Sequence, residues 1–139
     1  MKIAEVETIP LAIPFTHGGK PAGWGGKAWT SLSILLVKVT TEEGVTGYGE
    51  AFSYNCLRSV QAALDDMVAP IVVNQEVDDI GIFLAEVQQK LHLFGRYGIV
   101  MFALSGLDIA LWDISAKTVN MPLWRLFGER RQDRLPAYA

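Results

Sequence analysis

Cysteine is almost absent from this sequence, and its scarcity excludes two kinds of site. Cys56 is the single cysteine in 139 residues. A disulfide within the chain needs a second cysteine, and a metal site built mainly on cysteines is excluded as well. We therefore interpret Cys56 as a small apolar residue, with a reactive thiol as the less favoured alternative.

Charged residues are also scarce, at 19% of the chain, compared with roughly 25% in average globular proteins. The 12 basic and 15 acidic residues give a formal net charge of −3. This balance gives no electrostatic reason to expect a nucleic acid as a partner. Because hydrophobic residues make up 50% of the chain, we expect some apolar surface to be buried against another domain or partner.

Long uninterrupted apolar runs are missing as well. Glu5 and Glu7 interrupt the N-terminal segment, which therefore lacks the apolar stretch of a signal peptide. No apolar run approaches the roughly 20 residues that a membrane span needs. We expect a soluble, cytoplasmic protein without a membrane partner.

The first third of the chain predicts a three-stranded antiparallel meander. Its strands are 3–15, 31–41 and 45–52, and the turn at 42–44 joins the last two. The centre of the second strand, 34–37, is apolar on both faces, as is typical of a strand covered on both sides.

The first strand carries two further signals. Its apolar residues change phase near Thr8, which predicts a one-residue bulge there. Pro10 and Pro14 cannot donate ladder hydrogen bonds, so this part of the strand should lie at an edge or leave the sheet.

The remaining sequence predicts helices. The apolar spacing favours helices that end at Pro70, that cover 80–91 after an N-cap at Asp78 or Asp79, and that cover 98–119. Pro122 then begins a short helical turn. Strands first and helices second predict an α+β fold, with a helical bundle packed on one face of the sheet.

The helix over 98–119 is apolar on nearly every side, so it should be buried on several sides. Its Asp108 and Asp113 are costly there unless they are paired, and Lys117 is a natural partner for Asp113 at i+4. The alternative is that these carboxylates act as acid–base groups or metal ligands. We favour the structural interpretation because no histidine or third carboxylate accompanies them.

Several segments together resemble a known family. The stretches 108–113, Asp-Ile-Ala-Leu-Trp-Asp, and 122–128, Pro-Leu-Trp-Arg-Leu-Phe-Gly, are similar to the helix that ends the capping domain of mandelate racemase and muconate lactonizing enzymes, in the enolase superfamily. Segments 36–44 and 47–51 resemble the second strand and third-strand motif, with Tyr48 where Trp is common. Segment 135–139 resembles the first strand of the barrel.

The resemblance implies a two-part enzyme. Residues 1–128 would be the N-terminal α+β capping domain, and 129–139 a linker with the start of the first barrel strand. In this family the barrel supplies the bases and the Mg²⁺ ligands that remove a proton α to a carboxylate. The chain is expected to stop before that barrel, so we expect no catalytic residue, no metal ligand and no activity in it alone. The full-length parent would be a Mg²⁺-dependent racemase, cycloisomerase or acid-sugar dehydratase.

Two cap segments are candidates for substrate binding by the same resemblance. The glycine-rich loop at 16–30 occupies the position of the family's mobile loop, and we single out His17, Lys20, Trp24 and Trp29 within it. Its basic residues would suit a carboxylate substrate, and its glycines permit hinge motion. An ordinary solvated loop is the alternative.

The loop at 52–55 is the second candidate segment, and Tyr54 is its candidate contact. Here Ser53 or Asn55 has an alternative role as the cap of the following helix.

The expected partners are therefore a carboxylate-bearing small molecule, the C-terminal barrel and further copies in a homo-oligomer. A rival hypothesis from a different class is a stand-alone, non-catalytic module that binds a ligand or protein. The residues encoded after Ala139 distinguish the two, because a barrel would carry a lysine base and spaced acidic ligands.

Overall fold

The computed structural model describes residues 1–16, 18, 23–24, 27–128, 134 and 136–137. Its strands are β1 (Ile3–Pro14), β2 (Gly23–Trp24), β3 (Lys27–Ala28), β4 (Ser31–Thr41) and β5 (Thr46–Ala51). Its helices are α1 (Leu57–Ala63), α2 (Ala69–Val72), α3 (Ile80–Lys90), α4 (Ile99–Thr118) and α5 (Leu123–Leu126). A π-helical turn, Leu64–Val68, joins α1 to α2, and a 3₁₀ turn, His92–Phe94, follows α3.

The predicted meander and α+β class are confirmed. Strands β1, β4 and β5 form one antiparallel sheet in the order β1-β4-β5. Alternate residues of β4, at Leu35, Val37 and Val39, are fully buried beneath the helices. We call this helix-covered side the inner face and the opposite side the outer face.

The bulge predicted near Thr8 is wrong. The pairing of β1 with β4 runs without interruption from Glu5 to Pro14, and the single irregularity in that ladder lies between Ile3 and Glu5. The change of apolar phase is therefore a change of face rather than of register, because strand residues alternate between faces. From Ile9 onward, the large apolar residues of β1, Ile9, Leu11 and Ile13, lie on the outer face.

The central strand is covered by helices on one face only. Its outer-face residues Ile34 and Leu36 are half-buried, and no helix among the described residues packs over them. The prediction that both faces of this strand are covered is therefore confirmed for the inner face only.

The position of Pro10 and Pro14 in an edge strand is confirmed, because β1 pairs only with β4 within the described sheet.

The first helical segment continues past Pro70, so the helix end predicted there is wrong. The N–H of Ala69 donates to the carbonyl of Leu64, five residues back, which is the π-helical pattern. This wider turn lets Pro70 occupy the first turn of α2, where its missing N–H is tolerated.

Of the two residues predicted as the N-cap of α3, the structure shows Asp79. Its Oδ1 accepts a hydrogen bond from the N–H of Ile82 at 2.8 Å.

Helix α4 is the core helix, and its backbone touches β5. A Cβ placed on Gly49 would lie 2.0 Å from the carbonyl oxygen of Gly106, and one on Gly47 would lie 2.2 Å from that of Ala110. Only glycine permits such an approach. The face of this helix that carries Gly106 and Ala110 therefore packs directly on the sheet.

Helix α4 is also the one helix in the described part of the chain that is long and apolar enough to cross a membrane. The sequence was expected to contain no apolar run of roughly 20 residues. Asp108, Asp113 and Lys117 do interrupt this helix, but its other residues give it the mean hydropathy of a possible membrane span. Half of its apolar window is buried inside the fold, as befits a core helix.

Candidate functional site

The two candidate loops meet at one end of the sheet. The rings of Trp29, just before β4, and Tyr54, just after β5, lie 5.5 Å apart between centroids at an interplanar angle of 72°. Such edge-to-face pairs contribute roughly 0.5–1.5 kcal/mol beyond their buried area. Trp29 is half-buried, whereas Tyr54 keeps 49% of its surface exposed.

A chain of aromatic contacts ties this pair to the core helix. Tyr54 stacks on Phe52 at 6.3 Å, and Phe52 meets Phe102 of α4 edge-to-face at 4.8 Å. We call Trp29, Phe52, Tyr54 and Phe102 the aromatic chain. Because α4 is the most buried helix of the fold, the aromatic chain gives the loop at 52–55 a rigid support.

The backbone of that loop makes a tight turn that presents Tyr54. The N–H of Cys56 donates to the carbonyl of Ser53 at 3.1 Å, and Asn55 adopts a left-handed φ of 54°. Asn tolerates this conformation better than most residues. The suggested capping of α1 by Ser53 or Asn55 is wrong, because Cys56 is the N-cap residue and no side chain bonds there.

The glycine-rich segment contains a short β-hairpin rather than loop alone. Gly23 pairs with Ala28 and Trp24 with Lys27, which brings the segment back toward β4. His17 and Lys20 lie outside the described residues, as does the side chain of Trp24. Of the five candidate substrate contacts, the structure therefore places Trp29 and Tyr54 together.

The described residues offer no site for the magnesium that the family resemblance implies. No group of three or more His, Cys, Asp or Glu residues among them could hold a metal ion. Mg²⁺ is usually held through carboxylates in near-octahedral oxygen geometry. The donor set present in the described part of the chain does not fit this ion.

The pKa shifts found in the described residues belong to two ion pairs and one turn rather than to a reactive centre. A hydrogen bond from Lys2 to the carboxylate of Glu42 raises the pKa of Lys2. A hydrogen bond from Lys38 to the carboxylate of Glu7 likewise raises the pKa of Lys38. A backbone hydrogen bond lowers the pKa of Glu43 in the β4–β5 turn. Glu43 is exposed and the two lysines are half-buried, and all three lie away from the aromatic chain.

Sequence analysis did not identify a groove between α3 and the first turns of α4. Its volume is about 1020 Å³, and His92, Arg96, Val100 and Leu104 are among its lining residues. The Nδ1 of His92 lies 2.7 Å from the carbonyl oxygen of Gln89. No periodic pattern marks these residues, because they come from a helix end, a loop and a second helix.

A three-stranded meander covered by a helical bundle, with two loops converging at one end, defines a capping-domain type of α+β fold. The family model "Mandelate racemase / muconate lactonizing enzyme, N-terminal domain" matches residues 20–128. The chain belongs to this family.

The chain is similar to curated relatives and to a solved structure. It is 31% identical over 103 residues to an arabinonate dehydratase from Saccharolobus solfataricus, covering 74% of this chain and 28% of the relative. It is 38% identical over 107 residues to a D-galactonate dehydratase from Xanthomonas euvesicatoria pv. vesicatoria, covering 75% and 27%. The chain thus spans about a quarter of these relatives' length.

The solved structure is a mandelate racemase/muconate lactonizing protein from Paracoccus denitrificans PD1222 in complex with magnesium. It superposes with a TM-score of 0.76 at 29% identity and covers 97% of this chain and 32% of that one. The predicted family and fold are confirmed by these matches.

Proposed function

We propose that this chain is the substrate-capping domain of a Mg²⁺-dependent enzyme that removes a proton α to a carboxylate, and that the reaction is dehydration of an acid sugar. The observation that carries the proposal is the family match over residues 20–128. The two dehydratase relatives favour acid-sugar dehydration over racemisation or cycloisomerisation. A cytoplasmic enzyme is part of the same proposal.

The magnesium would be held by the barrel domain that follows the capping domain in longer relatives. The structural relative that binds magnesium is about three times as long as this chain, and the described residues of this chain do not fit the ion. When bound, the metal would stabilise the enolate that forms after proton removal. The cap's own contribution is to bind and enclose the substrate.

Tyr54 and Trp29 would form a fixed aromatic wall at the mouth of the active site. The aromatic chain links both rings through Phe52 to Phe102 of α4, so they would be positioned before substrate arrives and would lose little entropy when it binds. The segment between β1 and β4 would fold over the substrate as a lid, with Trp24 excluding water and with His17 and Lys20 facing the carboxylate.

The proposal is tested by an activity screen on the protein as its gene encodes it, with whatever follows Ala139. We expect Mg²⁺-dependent dehydration of at least one aldonate in a panel, detected as the 2-keto-3-deoxy product. The 139-residue chain alone should turn over no substrate and show no stoichiometric Mg²⁺ site by calorimetry. A tight one-to-one Mg²⁺ site in that chain, or a gene that encodes no barrel, would contradict the proposal.

Replacing Tyr54 with Ala tests the aromatic wall. Because Tyr54 is half exposed, its loss should lower kcat/KM by on the order of tenfold or more while reducing stability by only about 1 kcal/mol. Tyr97→Ala is the matched control, since Tyr97 is 92% exposed and outside the aromatic chain. Steady-state kinetics and thermal melts on both variants decide the point. Equal kinetics for the two variants would remove Tyr54 from the site.

A further inference from the structure

The groove between α3 and the first turns of α4 has the dimensions of a small-molecule site. We call it the α3–α4 groove. Its volume of about 1020 Å³ lies at the upper end of the roughly 300–1,000 Å³ that ligand pockets enclose. Its lining includes no residue of the aromatic chain. A small organic molecule, rather than a single ion, would fill such a space.

The floor of the α3–α4 groove is apolar and belongs to the core. Leu91 is 5% exposed, Val100 7% and Leu104 3%, and all three line the groove while forming part of the buried hydrophobic cluster. Because Val100 and Leu104 belong to α4, the helix that packs on the sheet, this floor is formed before any ligand arrives. A ligand with an apolar body would therefore be buried there at little conformational cost.

The wall of the groove carries more positive than negative charge. Lys90 and Arg96 line it together with His92, and Glu86 is the single carboxylate among the lining residues. The chain as a whole has a formal net charge of −3, so the wall departs from the average of the molecule. A concave surface on which one sign of charge prevails attracts a ligand of the opposite sign.

The two cations of the wall have no partner within the described part of the chain. Lys2 and Lys38, by contrast, each pair with a carboxylate. The side chains of Lys90 and Arg96 form no ion pair or hydrogen bond with any described residue. Glu86 lies one helical turn before Lys90 on α3 and does not pair with it. Both positive charges are therefore available to a ligand.

The dipole of α3 accounts for only part of this charge. Lys90 and His92 stand at the C-terminal end of α3, where a cation is favoured by the negative end of the helix. The Nδ1 of His92 donates to the carbonyl of Gln89 at 2.7 Å, which leaves Nε2 without a partner among the described residues. Arg96 lies in the loop beyond the 3₁₀ turn, so neither helix end explains its place in the groove.

We propose that the α3–α4 groove binds a small amphiphilic anion, which is an acidic group carried on an alkyl or aryl body. The apolar body lies on the floor of the groove, and the acidic group meets Lys90 and Arg96 at the wall. A guanidinium presents paired N–H donors that match a carboxylate or a phosphate group, so either acid fits. Every residue involved belongs to the described part of this chain, so the inference is independent of the proposed function.

The test uses the protein as its gene encodes it, with whatever follows Ala139, and without Mg²⁺, so that no metal in the active site holds the probe. Octanoate and phenyl phosphate are the probes for the two kinds of acid. Methyl-labelled NMR should show saturable shifts at Val100 and Leu104 with at least one of them. Octanamide lacks the charge and inorganic phosphate lacks the apolar body, so each should bind on the order of tenfold more weakly or less.

Arg96→Ala should raise the Kd of the better probe by on the order of tenfold or more, because a charge-assisted hydrogen bond is lost. Arg96→Lys should recover part of that affinity, because it keeps the charge but not the paired donors. Arg58→Ala is the matched control, since Arg58 is also exposed, forms no ion pair with a described residue and lies on α1 outside the groove. It should leave the Kd unchanged. Melting curves check that each variant is folded.

Three results would overturn the proposed anion site. The first is an absence of shifts at Val100 and Leu104 with both probes. The second is an equal Kd for Arg96→Ala and Arg58→Ala. The third is equal binding of octanoate and octanamide, because the charges of the wall would then play no part. None of these measurements involves catalysis, so their failure would leave the proposed enzyme activity untouched, and an inactive protein would leave the groove untouched.

Discussion

Three glycines determine how closely the core helix approaches the sheet. Gly47 and Gly49 of β5 face α4, and Gly106 of α4 faces Ala51 and Val37, where an added Cβ would lie 2.6 Å from a side-chain carbon of Val37. Every one of these contacts would place a side chain against backbone or a buried neighbour. The close packing that results removes any space for side chains between α4 and β5 and leaves the sheet no freedom to shift.

Gly49→Ala should therefore destabilise the fold strongly. Its Cβ would lie 2.0 Å from the carbonyl oxygen of Gly106, a backbone atom that cannot move without displacing α4. We expect a loss of about 3 kcal/mol or more in the free energy of unfolding, measured in urea. Gly81→Ala, at an exposed position of α3, is the control, and it should change stability by about 1 kcal/mol at most because alanine favours helix. Similar results for both variants would refute the close approach.

At the scale of elements, α4 fills the core and also caps the edge of β5. The carboxylate of Asp113 accepts from the N–H of Tyr48 and pairs with Lys117 at 2.6 Å. This confirms the pairing with Lys117 that the i+4 spacing predicts. The contact with Tyr48 joins residues 65 positions apart in the chain, and no spacing rule predicts it.

Asp113→Ala should uncover that edge. We expect a loss of about 1–2 kcal/mol in unfolding free energy, because an exposed amide regains water in place of the carboxylate. Amide hydrogen exchange at Tyr48 should speed up in the same variant. Asp108→Ala is the matched control, since the described residues show no hydrogen bond or ion pair for Asp108, and its stability should hardly change. Unaltered exchange at Tyr48 in Asp113→Ala would contradict the capping role.

At the scale of the whole molecule, two of the exposed apolar surfaces among the described residues lie on opposite sides of the sheet. One is on the outer face, where Leu32 is 53% exposed and Ile13 46%. The other lies on the helical side, where Ile109 is 45% exposed, Trp124 53% and Phe127 61%. The low charge content of the sequence fits these exposed apolar surfaces, and we propose that the barrel covers the one on the helical side.

The 139-residue chain alone should bind hydrophobic dyes such as ANS through the helical-side surface. Trp124→Ser and Phe127→Ser should each reduce dye fluorescence, because they remove large exposed rings. Ile82→Ser, at a position 63% exposed on α3, should leave it nearly unchanged. Titration of dye against each folded variant provides the measurement. A dye-negative wild-type chain would count against a missing domain on that side.

The sequence by itself determined the class and order of the elements. Prolines at 10 and 14 identified an edge strand, a short run that is apolar on both faces identified β4, and the apolar period identified α3 and α4. These features follow from local rules of backbone geometry and burial, so they can be derived without a structure. The family resemblance likewise needed only motifs in order along the chain.

The tertiary structure alone decided which residues meet. The sequence shows a change of apolar phase in β1, but only the pairing with β4 shows that it places Ile9, Leu11 and Ile13 on the outer face instead of forming a bulge. Trp29 and Tyr54 lie 25 positions apart, and their contact depends on where β4 and β5 end. Asp113 reaches Tyr48 only because glycines at 47, 49 and 106 bring α4 onto the sheet. Such contacts depend on packing between distant segments, which no local pattern encodes.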